Sequence, residues 1–313
     1  MTPIADLVEN VKQGQIQAIA RAMSLVENEA PVARDIMDRL YTRTGRAYRI
    51  GITGPPGAGK STLTAQLTRR FRQQGKTVGI VAVDPTSPFT GGAVLGDRIR
   101  MAEFATDPGV FIRSMASRGS MGGLARRTQE VADILDAAGK DVIIFETVGV
   151  GQTELDIAEA ADTTIVVLVP ESGDAIQAMK AGLMEIADIF VVNKADREGA
   201  DRIKMELELM LQLRPDGEGK GWKPPIYLTV ASRGEGVDAL LTEIERHYQF
   251  LHKNGLLEAR RRKRLIHKVQ EMVTERLKEK FWTRDRRQKL EKRLPDLIEN
   301  KISPYALADE LVE

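Results

Sequence analysis

The stretch "YRIGIT" (Tyr48–Thr53) runs without a break into "GPPGAGKS" (Gly54–Ser61), and that junction decides the fold. A short apolar run followed by a glycine-rich turn and then a helical pattern is the setting a phosphate loop requires. The glycines let backbone N–H groups turn inward on a β-phosphate, and the N-terminus of the following helix adds positive potential. Lys60 is placed to reach β- and γ-phosphates, and the Ser61 hydroxyl to ligate Mg²⁺. Gly54, Pro55, Pro56, Gly57, Ala58, Gly59, Lys60 and Ser61 are therefore the expected phosphate-binding set.

Further runs of the same kind follow: "VGIVAVD", "GVFIRS", "DVIIFE", "TTIVVLV", "DIFVVN" and "PIYLTV". They are nearly continuous in apolar residues and are separated by amphipathic stretches, as strands of a parallel sheet covered on both faces are. This predicts an α/β fold, a mainly parallel doubly wound sheet, over residues 49–251. Residues 1–48 read as a helical cap, with Ile16, Ile19, Ala20 and Met23 at helical spacing and Gly45 as a stop. Residues 252–313 read as a helical arm. Within it Leu265, Val269, Met272, Val273 and Leu277 form one stripe among charges, an amphipathic helix in need of a partner surface. Ser303 and Pro304 then open a last short helix, with a capping hydroxyl and proline in the first turn.

The 313 residues are 42% hydrophobic and 29% charged, enough for a full core. A formal charge of +1, from 46 basic and 45 acidic residues, gives no electrostatic case for nucleic acid. The basic run Arg260–Arg264 reads as a solvated helix face. With no cysteine, disulfides and thiolate metal sites are excluded and a reducing compartment is expected. No apolar run reaches the roughly 18 residues of a membrane span, and "MTPIADLVENVKQG" lacks the basic start and apolar core of a secretory signal. A soluble cytoplasmic protein without a membrane partner is the expectation.

"NKAD" (Asn193–Asp196) closes the run "DIFVVN", where a base would lie beyond the carboxyl ends of a parallel sheet. The Asp196 carboxylate can accept from guanine N1–H and its 2-amino group; adenine has neither donor there and would leave the acid unpaired. GTP is therefore expected over ATP, with Asn193 bracing the pocket and Lys194 lying along the ring. The backbone of Ala231 or Ser232, in "TVASRGEGV", is either a further base contact or part of an ordinary strand-to-helix loop.

Three acids compete for the metal and the water: Asp84 at the end of the second run, Asp97 in the loop after it, and Glu146 at the end of the fourth. Mg²⁺ keeps several waters, so one or two carboxylates suffice. Gly91, Gly92 and Gly96 give the loop between Asp84 and Asp97 the freedom of a segment ordered by a γ-phosphate. In "ETVGVGQTE" (Glu146–Glu154) the acid is followed by Gly149, as in switches that sense a terminal phosphate. The acid is Glu rather than the usual Asp, however, and Val150 stands where a water-positioning glutamine would follow. Gln152 has the wrong spacing and no arginine is pre-placed, so slow intrinsic hydrolysis that a partner accelerates is expected.

"GPPGAGKST", "VAVDPTSPFTGGAVLGDRIRM", "ETVGVGQTE" and "ESGDAIQAMKAGLMEIADIFVVNKAD", in this order and spacing, closely resemble the methylmalonyl-CoA mutase-associated GTPases, the MeaB/ArgK/MMAA group. The resemblance covers nearly the whole chain. It implies a P-loop GTPase that binds GTP or GDP with Mg²⁺ and has Glu at the position of Glu146. By the same resemblance the phosphate loop extends through Thr62, the metal set is Ser61, Asp84, Asp97 and Glu146, and the base site is Asn193, Lys194 and Asp196. A further switch falls on "ESGDAIQAMK", where Asp174 and Lys180 would rearrange on partner docking and join Lys60, Asp97 and Glu146 in catalysis. The implied assembly is a homodimer through its C-terminal helices, a chaperone of an adenosylcobalamin-dependent acyl-CoA mutase that gates cofactor loading and protects or reactivates the enzyme. The adenosylcobalamin belongs to the mutase, whether methylmalonyl-, isobutyryl- or 2-hydroxyisobutyryl-CoA mutase. The alternatives are a GTPase of metallocentre assembly, a kinase or ATPase linked to amino-acid transport, and a structural dimer that nucleotide merely staples.

Overall fold

A computed structural model describes residues 4–84, 101–116, 123–147, 153–171, 183–212 and 221–313. Three helices, α1 (Ile4–Lys12), α2 (Ile16–Glu27) and α3 (Ala33–Leu40), precede strand β1 (Tyr48–Thr53) and α4 (Lys60–Gln73). Then come β2 (Val78–Asp84), β3 (Val110–Ala116), α5 (Gly123–Ala137), β4 (Val142–Thr147), α6 (Thr153–Ala160) and β5 (Thr163–Leu168). The unit closes with α7 (Leu183–Ile186), β6 (Ile189–Asn193), α8 (Ala200–Gln212), β7 (Ile226–Thr229) and α9 (Val237–Lys253).

Every expected strand joins one seven-stranded sheet, ordered β3-β2-β4-β1-β5-β6-β7, and all its pairings are parallel. The chain leaves β1 toward one edge, returns to insert β4 beside it, and then builds outward on the other side. A ligand crevice belongs where this reversal occurs, beyond the carboxyl ends of the strands.

Alternate residues of each strand serve opposite faces. In β4, Ile143 and Phe145 pack with the N-terminal helices and α5, whereas Val142 and Ile144 pack against α4 and α9. From β5 and β6, Val166, Leu168, Phe190 and Val192 meet α8. Leu7, Val11, Ile19, Met23, Ile36 and Leu40 share the first of these cores with α5, so the N-terminal helices belong to the same compact body as the sheet. Ile16, at the start of α2, is instead 55% exposed. Among the described residues no helix is long and apolar enough to cross a membrane.

The described chain divides into two compact units, one through Glu258 and one from Ala259 to Glu313. The second carries most of α10 (Leu256–Phe281), then α11 (Arg284–Ile298) and α12 (Pro304–Val312). Ser303 caps α12, its hydroxyl accepting from Ala306 N at 3.1 Å, and Pro304 occupies the first turn, as expected. Leu307 and Leu311 of α12 are buried, and Glu310 pairs with Lys289 and Arg293 of α11.

A buried charge cluster anchors β1. Arg49 Nη2 lies 2.6 Å from Asp133 and 3.4 Å from Asp136 of α5. Burial disfavours the guanidinium charge, but Asp133, Asp136 and Asp162 outweigh it and hold its pKa above the ordinary value. Asp136 also accepts from the backbone N–H groups of Gly45, Arg46 and Ala47 at 2.7, 3.1 and 3.0 Å, which fixes the chain as it enters the sheet. Asp136→Ala would strip an acceptor from several backbone donors and part of the counter-charge from Arg49. It should lower unfolding stability by on the order of 3 kcal/mol, checked by denaturant titration; a loss below about 1 kcal/mol would show that water replaces the carboxylate.

Candidate functional site

The phosphate-loop segment sits where its sequence requires. Gly54 has φ 136° and an added Cβ would fall 2.0 Å from the Val167 carbonyl oxygen of β5, so only glycine lets the loop leave β1 this closely. Gly59 caps α4 at φ 86°. The loop curls over the Lys60 ammonium, which donates to the Gly54 and Pro55 carbonyls at 2.7 and 2.9 Å. Ala58, Lys60 and Ser61 are buried, whereas Pro56 and Gly57 are exposed and Pro55 and Thr62 half-buried.

Ser61, in the first turn of α4, donates to Glu146 Oε1 at 2.5 Å, and both side chains are buried. Glu146 lies level with Ile52 of β1 and Ala82 of β2, so the central strands present it beneath the loop. Next to it, the hydroxyls of Thr53 and Thr147 are 3.1 Å apart. Asp84 ends β2 opposite Ala116; its side chain, and the whole of Asp97, Gly149, Asp174 and Lys180, lie outside the described residues.

The base-loop residues come to the same edge of the sheet. Asn193 ends β6, and its side chain is buried. Nδ2 donates to the Ala58 carbonyl at 2.8 Å, while Oδ1 accepts from Thr229 Oγ1 at 3.1 Å and Ala231 N at 3.0 Å. One amide thus ties the phosphate loop, β6 and the loop after β7 together. Lys194 follows in the left-handed region, φ 57°, a conformation costing a non-glycine residue on the order of 1 kcal/mol. Neighbouring bonds hold it there: Arg197 N donates to the Lys194 carbonyl and Ala195 N to the Thr229 carbonyl, each at 3.0 Å. Asp196 and Ser232 are exposed.

Two participants escaped the sequence reading. Thr229 is one of several residues in an apolar run, and Arg233, whose guanidinium donates to Asp196 Oδ2 at 2.8 Å, belongs to no motif. The glycines at 234 and 236, both with positive φ, were the available sign of a tight turn that would bring Arg233 back toward β6.

The model of the family described as methylmalonyl Co-A mutase-associated GTPase MeaB matches residues 19–286. The chain belongs to this family. A provisionally named GTPase of Pyrococcus abyssi is 50% identical over 311 residues, which cover 99% of this chain and 96% of the relative. The mitochondrial methylmalonic aciduria type A homolog of Caenorhabditis briggsae is 34% identical, over 82% of this chain and 66% of that protein. A crystal structure titled LAO/AO transport system kinase superposes with a TM-score of 0.76 at 27% identity, over 99% and 96% of the two chains. MeaB-family membership and this superposition agree with the P-loop GTPase fold built above.

The Asn193 contacts can be tested directly. Asn193→Ala removes three hydrogen bonds from a buried site and should cost about 1–3 kcal/mol. Asn193→Asp should cost more, because it turns a carboxylate oxygen toward the Ala58 carbonyl where an N–H donated. Denaturant titration orders the two variants, and a milder effect for the aspartate would show that the amide does not join the loops.

Proposed function

We propose that this MeaB-family chain binds GTP with Mg²⁺ beyond the carboxyl ends of β1, β4 and β6, hydrolyses it slowly alone, and serves as a chaperone of an adenosylcobalamin-dependent acyl-CoA mutase. The observation that carries the nucleotide reading is the bond from Asn193 to Ala58, which joins a phosphate loop to a guanine-type base loop at one edge of the sheet. Family membership supports hydrolysis and the link to a mutase.

In this reading the backbone N–H groups of Gly57, Ala58, Gly59, Lys60, Ser61 and Thr62 hold the β-phosphate, while Gly54, Pro55 and Pro56 shape the loop around it. Lys60 exchanges its carbonyl partners for phosphate oxygens, remaining a cation in ground and transition states alike. Asn193 keeps the base loop in register, Lys194 covers one face of the base, Asp196 accepts from its edge, and the Ala231–Ser232 backbone closes the far side. Ser61 and Glu146 fit a hard divalent cation, since both are buried oxygen ligands brought side by side, and ligation would replace the hydrogen bond between them; Asp84 and Asp97 are the further acids proposed for it. Mg²⁺ bound there would offset the charge on the β- and γ-phosphate oxygens. Glu146 is also proposed to orient the attacking water, and Gly149 to sense the γ-phosphate. Asp174 and Lys180 form the proposed switch that completes the site when the mutase docks.

The kinase title of the 27% identical structure belongs to that protein. For this chain Asp196 favours guanine, because its carboxylate can accept from guanine N1–H and the 2-amino group, and adenine offers neither donor. A homodimer is proposed from α10, where Leu265, Val269, Val273 and Leu277 are exposed, an apolar stripe of the kind that marks an interaction surface.

Asp196→Asn should weaken GTP and improve xanthosine triphosphate, since an amide can donate to the 2-oxo group. Competition binding measures this, and unchanged relative affinities would remove Asp196 from the base site. Adding the cognate mutase should raise turnover by roughly 10²- to 10³-fold, the range of one well-placed charge stabiliser. Lys180→Ala and Asp174→Ala should lose most of that rise. Phosphate-release assays decide it, with light scattering of the same sample expected to give a dimer; no stimulation by any such mutase would refute the chaperone role, and a monomer would refute the dimer.

A further inference from the structure

Asp196 already has a donor. Arg233 Nη2 lies 2.8 Å from its Oδ2, and Nη1 of the same guanidinium lies 3.4 Å from Glu235 Oε1. The backbone under this arginine is fixed. Val230 N donates to the Glu235 carbonyl at 3.0 Å, Arg233 N to the Val230 carbonyl at 2.9 Å, and Ala231 N to Asn193 Oδ1. Arg70 of α4 adds a contact to the Gly234 carbonyl at 3.4 Å. The Arg233 side chain itself is 58% exposed, so it can swing while the loop that bears it stays in place.

We propose that Arg233 is an internal competitor for the guanine site: it occupies Asp196 when no nucleotide is bound, yields it as the base arrives while Glu235 keeps hold of the guanidinium, and returns as the base leaves. This rests on the reading of Asp196 as the base-recognising acid. A carboxylate only accepts, and guanine meets it with a pair of N–H donors in one plane. A guanidinium is a planar fork with the same kind of donors, so the arginine satisfies the acid much as the base would. The exchange strands no charge, because Glu235 stands within reach of the guanidinium on the same turn. It is also shallow, because exposed ion pairs are weak. The consequence is kinetic as well as thermodynamic: when the base undocks while the phosphates are still held, recapture of the acid blocks its re-docking and so speeds release of GDP.

The direction of the effect separates this role from two simpler ones. Were Arg233 a plain cation attracting polyphosphate, its loss would weaken every nucleotide. Were it a brace for Asp196, its loss would weaken guanine nucleotides in particular. As a competitor, its loss tightens guanine nucleotides and leaves ATP unimproved, because adenine does not contend for Asp196.

The experiment uses the full chain and fluorescent GDP, GTP and ATP analogues, with equilibrium titration and stopped-flow release for wild type, Arg233→Ala, Glu235→Gln and the double variant. Arg233→Ala should bind GDP and GTP about two- to fivefold tighter, the range set by an exposed ion pair, with slower release and no tightening of ATP. The gain should shrink as salt is raised. Glu235→Gln should weaken GDP by removing the arginine's second station, and that effect should vanish in the double variant. Unchanged or weaker GDP binding in Arg233→Ala, a gain shared by ATP, or a Glu235→Gln effect that survives without Arg233 would each overturn the competitor role. Failure of the underlying base-site reading looks different: wild type itself would then show no preference for GTP over ATP.

Discussion

The site depends on one buried amide. Asn193 donates to the phosphate loop and accepts from both the last residue of β7 and the loop beyond it. Each bond lies out of water, where an orphaned donor or acceptor costs more than the bond contributes when made. The amide also explains a glycine: a Cβ at Gly59 would stand 2.4 Å from Asn193 Nδ2. The loop after β1 and the loops after β6 and β7 are thus held in fixed relation by one side chain.

That amide can act only because the sheet brings its partners together. Strands β1 and β6 flank β5, so Gly54 must slip past the Val167 carbonyl before Ala58 can meet Asn193. The far end of the same strands is fixed by different chemistry. Arg49 sits among Asp133, Asp136 and Asp162, and His247 Nδ1 lies 2.8 Å from Thr163 with Asp188 3.4 Å from its Nε2. Buried polar groups at the amino ends of β1, β5 and β6 pin the register there, leaving the carboxyl ends to carry glycine-rich turns without slipping.

What the sequence made legible was local in the chain. Strands buried on both faces announce themselves as apolar runs, and each became a strand of the sheet. The phosphate-loop octapeptide and the "NKAD" tetrapeptide are likewise short patterns whose flanking strands can be read beside them. Contacts across long separations were not legible: Arg46 with Asp136 and Arg233 with Asp196 depend on strand order, which no local pattern encodes, and Ser61 and Glu146 are expected side by side only through their shared metal role. Helix α11 was missed for another reason. Its sequence, "RDRRQKLEKRLPDLI", is charged on most sides and contains Pro295, so periodicity is faint; Thr283 at its start, capping Arg286 N at 3.3 Å, was the stronger sign. For Asp174 and Lys180 the residues alone suggest only a helix start and a nearby lysine, and the expectation of a switch there rests on the family resemblance.

The presence of Glu rather than Asp at position 146 follows from where the strand ends. Glu146 is not the last residue of β4; Thr147 is, and Glu146 lies level with Ile52, one residue inside β1. From that depth the carboxylate reaches Ser61 Oγ at 2.5 Å. An aspartate on the same backbone would be shorter by one C–C bond, about 1.5 Å, and would fall out of hydrogen-bond range unless the strand moved outward. Such a move is opposed by β1 and β2, which pair with β4 on both sides through this residue. The longer acid therefore lets a fully buried strand keep its register and still deliver a carboxylate to the first turn of α4, where an anion beside the Ser61 hydroxyl is what a proposed Mg²⁺ site requires.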